Sequence, residues 1–288
     1  MTTPISSVTT STTTTPPEAP AAGTSPDATT SPAATGVGSA TVDTKAPGAA
    51  SAPQRTRSEA ELKALVEEAN ELFGERNADT QELLAWAGRT FGKSLAVACS
   101  MASDTVVPAL VSQHIKDVDV LFLDTGYHFQ ETIETRDAFA SDWPVNVRTL
   151  LPRLTVPEQD AEFGPKLHDR EPATCCGIRK VEPLDNALEG YEAWVTGLRR
   201  EETPHRANAA PVEWDERHHM VKINAIVDWT FDDVVSWAET NLVVVNPLLT
   251  QGYPSIGCAP CTRKVAPGED PRAGRWSGLG KTECGIHV

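Results

Sequence analysis

Apolar positions recur along the chain at two spacings, and the changes between them mark out the elements. Over residues 58–73, Leu62, Leu65, Val66, Ala69, Leu72 and Phe73 fall at helical spacing, with Ser58 and then Glu61 as a capping signal. A second helix is predicted over 79–89, with Leu83, Leu84 and Trp86 inward and Gly92 ending it. The pattern then shortens. Residues 95–100 are a brief apolar run suited to a buried strand, followed by a polar turn (Ser100, Ser103, Asp104) and a helix through Val106, Leu110, Val111 and Ile115. Residues 118–124 repeat the strand, with Asp124, Thr125 and Gly126 at its carboxyl end, and a helix follows over 130–139. Further strands are predicted at 145–150, at 193–195 before Gly197, and at 220–223. A last helix over 229–242 carries Phe231, Val234, Val235, Trp237 and Ala238 as its stripe. This alternation predicts an α/β protein with a mostly parallel sheet flanked by helices. Ser100, Ser103, Asp104, Asp124, Thr125 and Gly197 then share the carboxyl rim, where such sheets bind ligands.

Composition sets the boundaries. Residues 1–57 are mostly Thr, Ser, Ala and Pro without an aromatic residue, and cannot bury enough surface to offset their ordering entropy. They read as a disordered tail with neither a secretory nor a transit pattern. A single domain spans 58–288. Its last part, 265–288, reads as mobile: residues 265–281 are rich in Gly, Pro, Arg and Lys, with only Trp276 and Leu279 as sizeable apolar anchors.

The net charge is -15, and the tail is neutral, so the whole of it falls on the domain. Such acidity argues against a general nucleic-acid or anionic-membrane binder. Against it, Arg179-Lys180, Arg199-Arg200 and the run from Arg272 to Arg275 stand out as local anion sites. No apolar stretch reaches transmembrane length, so a soluble, cytoplasmic protein is expected.

The candidate chemistry is sulfur chemistry. Of six cysteines, four form a doublet, Cys175-Cys176, and a C-x-x-C, Cys258 and Cys261. Without a secretory signal, a disulfide framework is a poor expectation. Four thiolates suit zinc or an iron–sulfur cluster. Adjacent cysteines diverge on helix and strand alike, which is awkward around one small ion and easier around a cluster with several irons. On a helix, Arg179 and Lys180 would stand one turn from the doublet and partly neutralise it. Cys99 lies in the first strand and reads as inert core. Cys284 follows Arg272, Arg275 and Lys281, cations that favour a thiolate, and a closing tail could deliver it as a nucleophile. With the other thiols buried or committed to metal, its release calls for an external dithiol. The turn at residues 100–104 is similar to the S-G-G-x-D-S phosphate loop, but side chains at Met101 and Ala102 would obstruct a pyrophosphate, favouring an adenylate with one phosphate over ATP.

Together these segments closely resemble thioredoxin-dependent adenylyl-sulfate reductases, within the phosphoadenylyl-sulfate reductase family, from about residue 91 to 287. The carrying motifs are CCGIRK at 175–180, TGLRR at 196–200, GCAPCTR at 257–263, GRW at 274–276 and ECGIH at 283–287. The resemblance implies an adenine-nucleotide α-hydrolase-like fold and a [4Fe–4S] cluster on Cys175, Cys176, Cys258 and Cys261. It implies that Cys284 takes the sulfonate from adenylyl sulfate, expels AMP and becomes an S-sulfocysteine, which thioredoxin reduces to sulfite in sulfate assimilation. Lys180, Arg272 and Arg275 match contacts to sulfate and phosphate. Arg206, Gly197, Ser100 and the rim after Leu123 match the adenosine wall. The first loop departs from the family's S-F-S-G-A-E-D, lacking its first serine and its glycine. The competing readings are a phosphoadenylyl-sulfate reductase and a zinc-binding, non-catalytic module.

Overall fold

The computed structural model describes residues 53–74, 79–276 and 285–286. Among them six strands form one sheet, in the order β3-β2-β1-β4-β6-β5. The strands are β1 (Leu95–Ala98), β2 (Val118–Leu123), β3 (Val145–Leu150), β4 (Ala193–Thr196), β5 (Val212–Asp215) and β6 (Met220–Asn224). All neighbouring pairs are parallel except β5 with β6. The helices are α1 (Glu59–Phe73), α2 (Thr80–Phe91), α3 (Val106–Ser112), α4 (Gln130–Asp142), α5 (Val156–Phe163), α6 (Leu167–Arg170), α7 (Pro172–Cys176), α8 (Glu182–Leu188) and α9 (Phe231–Thr240).

The central strands are buried on both faces, as a continuous apolar run predicts. Leu95 and Val97 of β1 join the larger apolar cluster, while Ala96 between them joins a smaller one with Leu121, Leu184, Trp194 and Met220. The predicted cap on α1 forms, and α2 is capped as well. Ser58 and Glu61 close a capping box on α1, and Asp79 accepts from Gln81 N and Glu82 N on α2. Helix α9 is shorter than its apolar pattern, because Thr230 caps it and the chain turns left-handed at Leu242.

Helices α5, α6 and α8 lie where the sequence reading placed no helix, and two further features depart from it. Strand β5 was not anticipated: with four residues and only Val212 and Trp214 as apolar positions, it offers too short an alternation to stand out. The tail also ends earlier than residue 57. Glu192 is fully buried, and Thr56 N, Arg57 N and Thr56 Oγ1 donate to its Oε1 at 2.7, 2.8 and 2.9 Å, while the Arg57 guanidinium pairs with Oε2. Arg55 donates to the carbonyls of Tyr191, His218 and His219. A buried carboxylate must be answered by donors, and residues 55–57 are drawn onto the sheet to supply them.

The strand order reverses between β1 and β4. The chain moves outward through β2 and β3, then returns to place β4 on the other side of β1. A crevice opens there at the carboxyl ends of the strands.

Candidate active site and cysteine pocket

The loop after β1 forms one wall of the crevice. Its expected obstruction is not the Met101 side chain, which is fully buried in the core because the backbone turns left-handed there, φ 54°. That conformation costs a non-glycine residue about 1 kcal/mol, and burial of the thioether offsets it. Asp104 instead fills the loop. Its carboxylate accepts from Ser100 N at 2.7 Å, Ser100 Oγ at 3.0 Å and Ala102 N at 3.2 Å. The amides that cradle a phosphate in a glycine-rich loop are here occupied by an internal anion. Cys99 beside it is buried, and loss of solvation holds its thiol well above the usual range, as inert core should be.

Across the crevice, Gly197 follows β4. A Cβ there would lie 3.1 Å from Asp104 Cβ, so the two loops meet only because the position is glycine. Ser100, Gly197, Arg206, Lys180, Arg272 and Arg275 all line one open cleft of about 1080 Å³. Arg206 is held by an ion pair to Glu202. Cys284 lies outside the described residues. Ile286, two positions on, lines the same cleft, and a Cβ on Gly285 would lie 3.2 Å from Val181, the neighbour of Lys180.

The cations at the far end are positioned by backbone pairing. Thr262 and Arg275 form an antiparallel bridge, with Arg263 N donating to Gly274 O and Trp276 N to Cys261 O, each at 3.0 Å. Trp276 is buried, so the segment expected to be mobile from residue 265 is tied down as far as this ring. The Arg275 guanidinium lies 4.5 Å from the Trp276 ring and donates to Ser255 Oγ and Ile256 O, both at 3.1 Å. A side chain at Gly257 would come within 2.5 Å of it. Pairing to the C-x-x-C segment therefore fixes Arg275 relative to Cys258 and Cys261.

The two cysteine motifs converge. Cys175 and Cys176 end α7, and the chain continues into a π-helical turn, Gly177–Val181. That wider turn alters the simple helical expectation: Arg179 is turned into the interior, while Lys180 lines the cleft. Such turns recur at functional sites. Cys258 precedes a 3₁₀ turn, Ala259–Cys261, fastened by Ala259 N to Tyr127 O at 2.7 Å. All four of these cysteines line one small pocket. Lys180, Arg275 and Trp276 line both this pocket and the cleft.

The sulfurs are held in a tense electrostatic balance. Burial, and then the neighbouring Cys258, push the Cys261 thiol up to about 11. The same two causes raise Cys175, against a pull from Arg179, the Gln159 amide and Lys180. Tyr127 N donates to Thr125 Oγ1 at 3.3 Å, which leaves the Thr125 hydroxyl hydrogen to turn towards Cys258 Sγ, also at 3.3 Å. Arg179, 3% exposed, is met by neutral oxygens: Thr125 O, Leu154 O and Gln159 Oε1. Four cysteines lining one pocket, two of them (Cys175 and Cys261) raised by burial and by Cys258, beside the buried Arg179 cation, fit a group that binds thiolates. Among the described residues, no three His, Cys, Asp or Glu side chains are gathered closely enough to chelate a single ion. Of these contacts Gln159 had no sequence signal, because the 156–163 segment shows no apolar periodicity. Thr125 was legible only as a rim residue.

A sheet with a cation-lined cleft at its switch point, sharing a wall with a four-cysteine pocket, defines an α/β protein of nucleotide-binding type with a cysteine-rich centre. Residues 94–264 match the phosphoadenosine phosphosulfate reductase domain, and the chain belongs to that family. An adenosine 5'-phosphosulfate reductase of Streptomyces coelicolor is 55% identical over 236 residues, which is 82% of this chain and 99% of that protein. One of Mycolicibacterium smegmatis is 52% identical over 234 residues, 81% of this chain and 98% of that protein. The crystal structure of the phosphoadenylyl-sulfate reductase of Candida auris, a phosphate complex, superposes with a TM-score of 0.58 at 26% identity, covering 74% of this chain and all of that one. No helix among the described residues is long and apolar enough to cross a membrane.

Proposed function

We propose that the protein is an oxidoreductase that reduces adenylyl sulfate to sulfite and AMP in the cytoplasm, for assimilatory sulfate reduction. The observation that carries this reading is the shared wall: Lys180, Arg275 and Trp276 border both the nucleotide-type cleft and the four-cysteine pocket. The names of relatives at 55% and 52% identity support the same substrate.

Cys175, Cys176, Cys258 and Cys261 would hold a [4Fe–4S] cluster. The four cysteines lining one pocket support that reading. When bound, the cluster would supply charge close to Lys180 and Arg275, which line the same pocket, rather than electrons for the overall reaction.

The chain's own residues do the rest. Ser100, Gly197 and Arg206 bind the adenylate end. Lys180, Arg272 and Arg275 receive the phosphate and sulfate, offsetting the repulsion that an anionic nucleophile meets on approaching an anion. The Cys284 thiolate attacks the sulfur. A new S–S bond forms as the sulfur–oxygen bond to the phosphate breaks, and AMP leaves with the electron pair. The position of Gly285, where an added Cβ would lie 3.2 Å from Val181, supports delivery of Cys284 to this point. A thiolate of thioredoxin then attacks Cys284 Sγ and expels sulfite, and the second thioredoxin thiol resolves the mixed disulfide. Sulfur gains two electrons and the dithiol loses them.

The test is sulfite release from adenylyl sulfate with thioredoxin present. Without reductant, intact mass should show one SO₃ group on the full-length chain. Cys284→Ser should still bind the nucleotide and lose sulfite release by at least about a thousandfold. Sulfite release retained in that variant would overturn the assignment.

A further inference from the structure

The cleft wall that follows β4 carries a carboxylate that the reaction above does not use. Residues 199–206 run through two 3₁₀ turns, Arg200–Glu202 and Pro204–Arg206, which bring Glu202 and Arg206 to the same cleft. Arg206 is buried and Glu202 half-buried, and Arg206 Nη1 donates to Glu202 Oε2. A guanidinium taken out of water needs such an answer.

Glu202 is itself held. Its Oε2 also accepts from Arg199 N at 3.1 Å, and its Oε1 lies 3.8 Å from Arg199 Nη2. Arg199 is buried in turn. Its guanidinium pairs with Glu201 and lies 5.8 Å from the Phe231 ring, while Glu201 Oε1 accepts from Phe231 N at 2.7 Å. The start of α9 therefore fixes Arg199, Arg199 fixes the Glu202 carboxylate, and the carboxylate fixes Arg206. Because a guanidinium is planar, holding one nitrogen also sets the plane in which its other donors lie.

The next arginine in the segment gives a contrast. Arg200 donates to Ala209 O at 2.8 Å and pairs with Asp228, and neither of that pair lines the cleft. Arg200 secures the chain. The Glu202–Arg206 pair is turned towards the bound nucleotide.

We propose, resting on the assignment of Arg206 to the adenylate end, that Glu202 is a positioning residue for nucleotide binding: it holds the Arg206 guanidinium in the orientation that meets the adenosine. Charge alone gives the opposite sign. Removing a carboxylate from a cleft that receives an anion would tighten binding, whereas releasing Arg206 to other rotamers weakens it.

The test uses the full-length protein, purified anaerobically with its metal centre. Calorimetry gives Kd for AMP, and sulfite release with thioredoxin gives KM and kcat for adenylyl sulfate. Glu202→Gln keeps the length and an acceptor oxygen but removes the charge. It should weaken AMP and raise KM by the same factor, about tenfold, with kcat within about twofold of the wild type. In an Arg206→Ala background the same substitution should move Kd by less than about twofold, because no guanidinium is left to position. Asp228→Asn should lower the melting temperature and leave Kd unchanged. If Glu202→Gln does not fold, Glu202→Asp, one methylene too short to hold Arg206 in place, decides by the same readings. Unchanged or tighter AMP binding, a full loss that persists in the Arg206→Ala background, or an equal loss in Asp228→Asn overturns the role of Glu202. Arg206→Ala that binds AMP as the wild type does overturns the assignment of Arg206 as well. Sulfite release by the wild type keeps the reductase reading separate from both.

Discussion

The two ends of the sheet are built on opposite terms. At the amino ends of the strands, charge is answered within the chain. Glu192 takes three donors and the Arg57 cation, Tyr191 donates to Asp119 and accepts from Arg148, and His218 stands between Asp215 and Asp185 at 2.7 and 2.9 Å. Arg217 adds two further bonds to Asp185. At the carboxyl ends the buried Arg179 cation is solvated by carbonyl and amide oxygens, and four cysteines line one pocket. The first arrangement is what stability selects, and the second is what a site awaiting partners looks like.

That contrast can be broken from either end, and the largest effect is expected at the sulfur pocket. Cys258→Ala should lose iron and sulfite release together, read by metal analysis and by the assay above, with the amino-end network intact. A fully active, iron-free variant would erase the distinction between the poles. Next comes Arg57→Ala, which leaves the Glu192 carboxylate buried without its cation. It should cost about 2–3 kcal/mol in denaturant unfolding, with KM for the nucleotide unchanged. A change in KM without loss of stability would mean that the two ends are not separable.

The smallest effect is a pH dependence. Burial disfavours the charged His218 imidazolium, but hydrogen bonds and charge from Asp215 and Asp185 outweigh it and raise its pKa above the ordinary 6.5. A raised folded value means that the contribution is fully present below the unfolded pKa and is lost as pH rises through the folded one. The melting temperature should therefore decline modestly on the alkaline side of pH 6.5, the ordinary histidine value. His218→Gln should flatten that decline, and an unchanged profile would remove the histidine from the network.

Much of the rim was legible before any fold was in hand. Ser100, Gly197, Lys180, Arg206, Arg272 and Arg275 were singled out through the family resemblance, and they line one cleft. Residues that act through long-range contacts were not. Gln159 meets Arg179 across 20 positions, and Thr125 meets Cys258 across 133. The bend at Met101 was misread because its neighbours, not its own side chain, decide which way it faces.

By itself the order of residues determined the elements and the chemistry available to them. Apolar spacing, caps such as Ser58 with Glu61, and the cysteine and arginine motifs are properties of short stretches, governed by local sterics and side-chain type. Only the tertiary structure decided which of those stretches meet. It set β1 against β4, laid residues 274–276 alongside the second cysteine motif, drew residues 55–57 onto Glu192, and turned Arg179 inward behind the sulfurs. Such meetings depend on burial and on satisfying charge between distant parts of the chain, and a buried group's partner is chosen by space rather than by sequence distance.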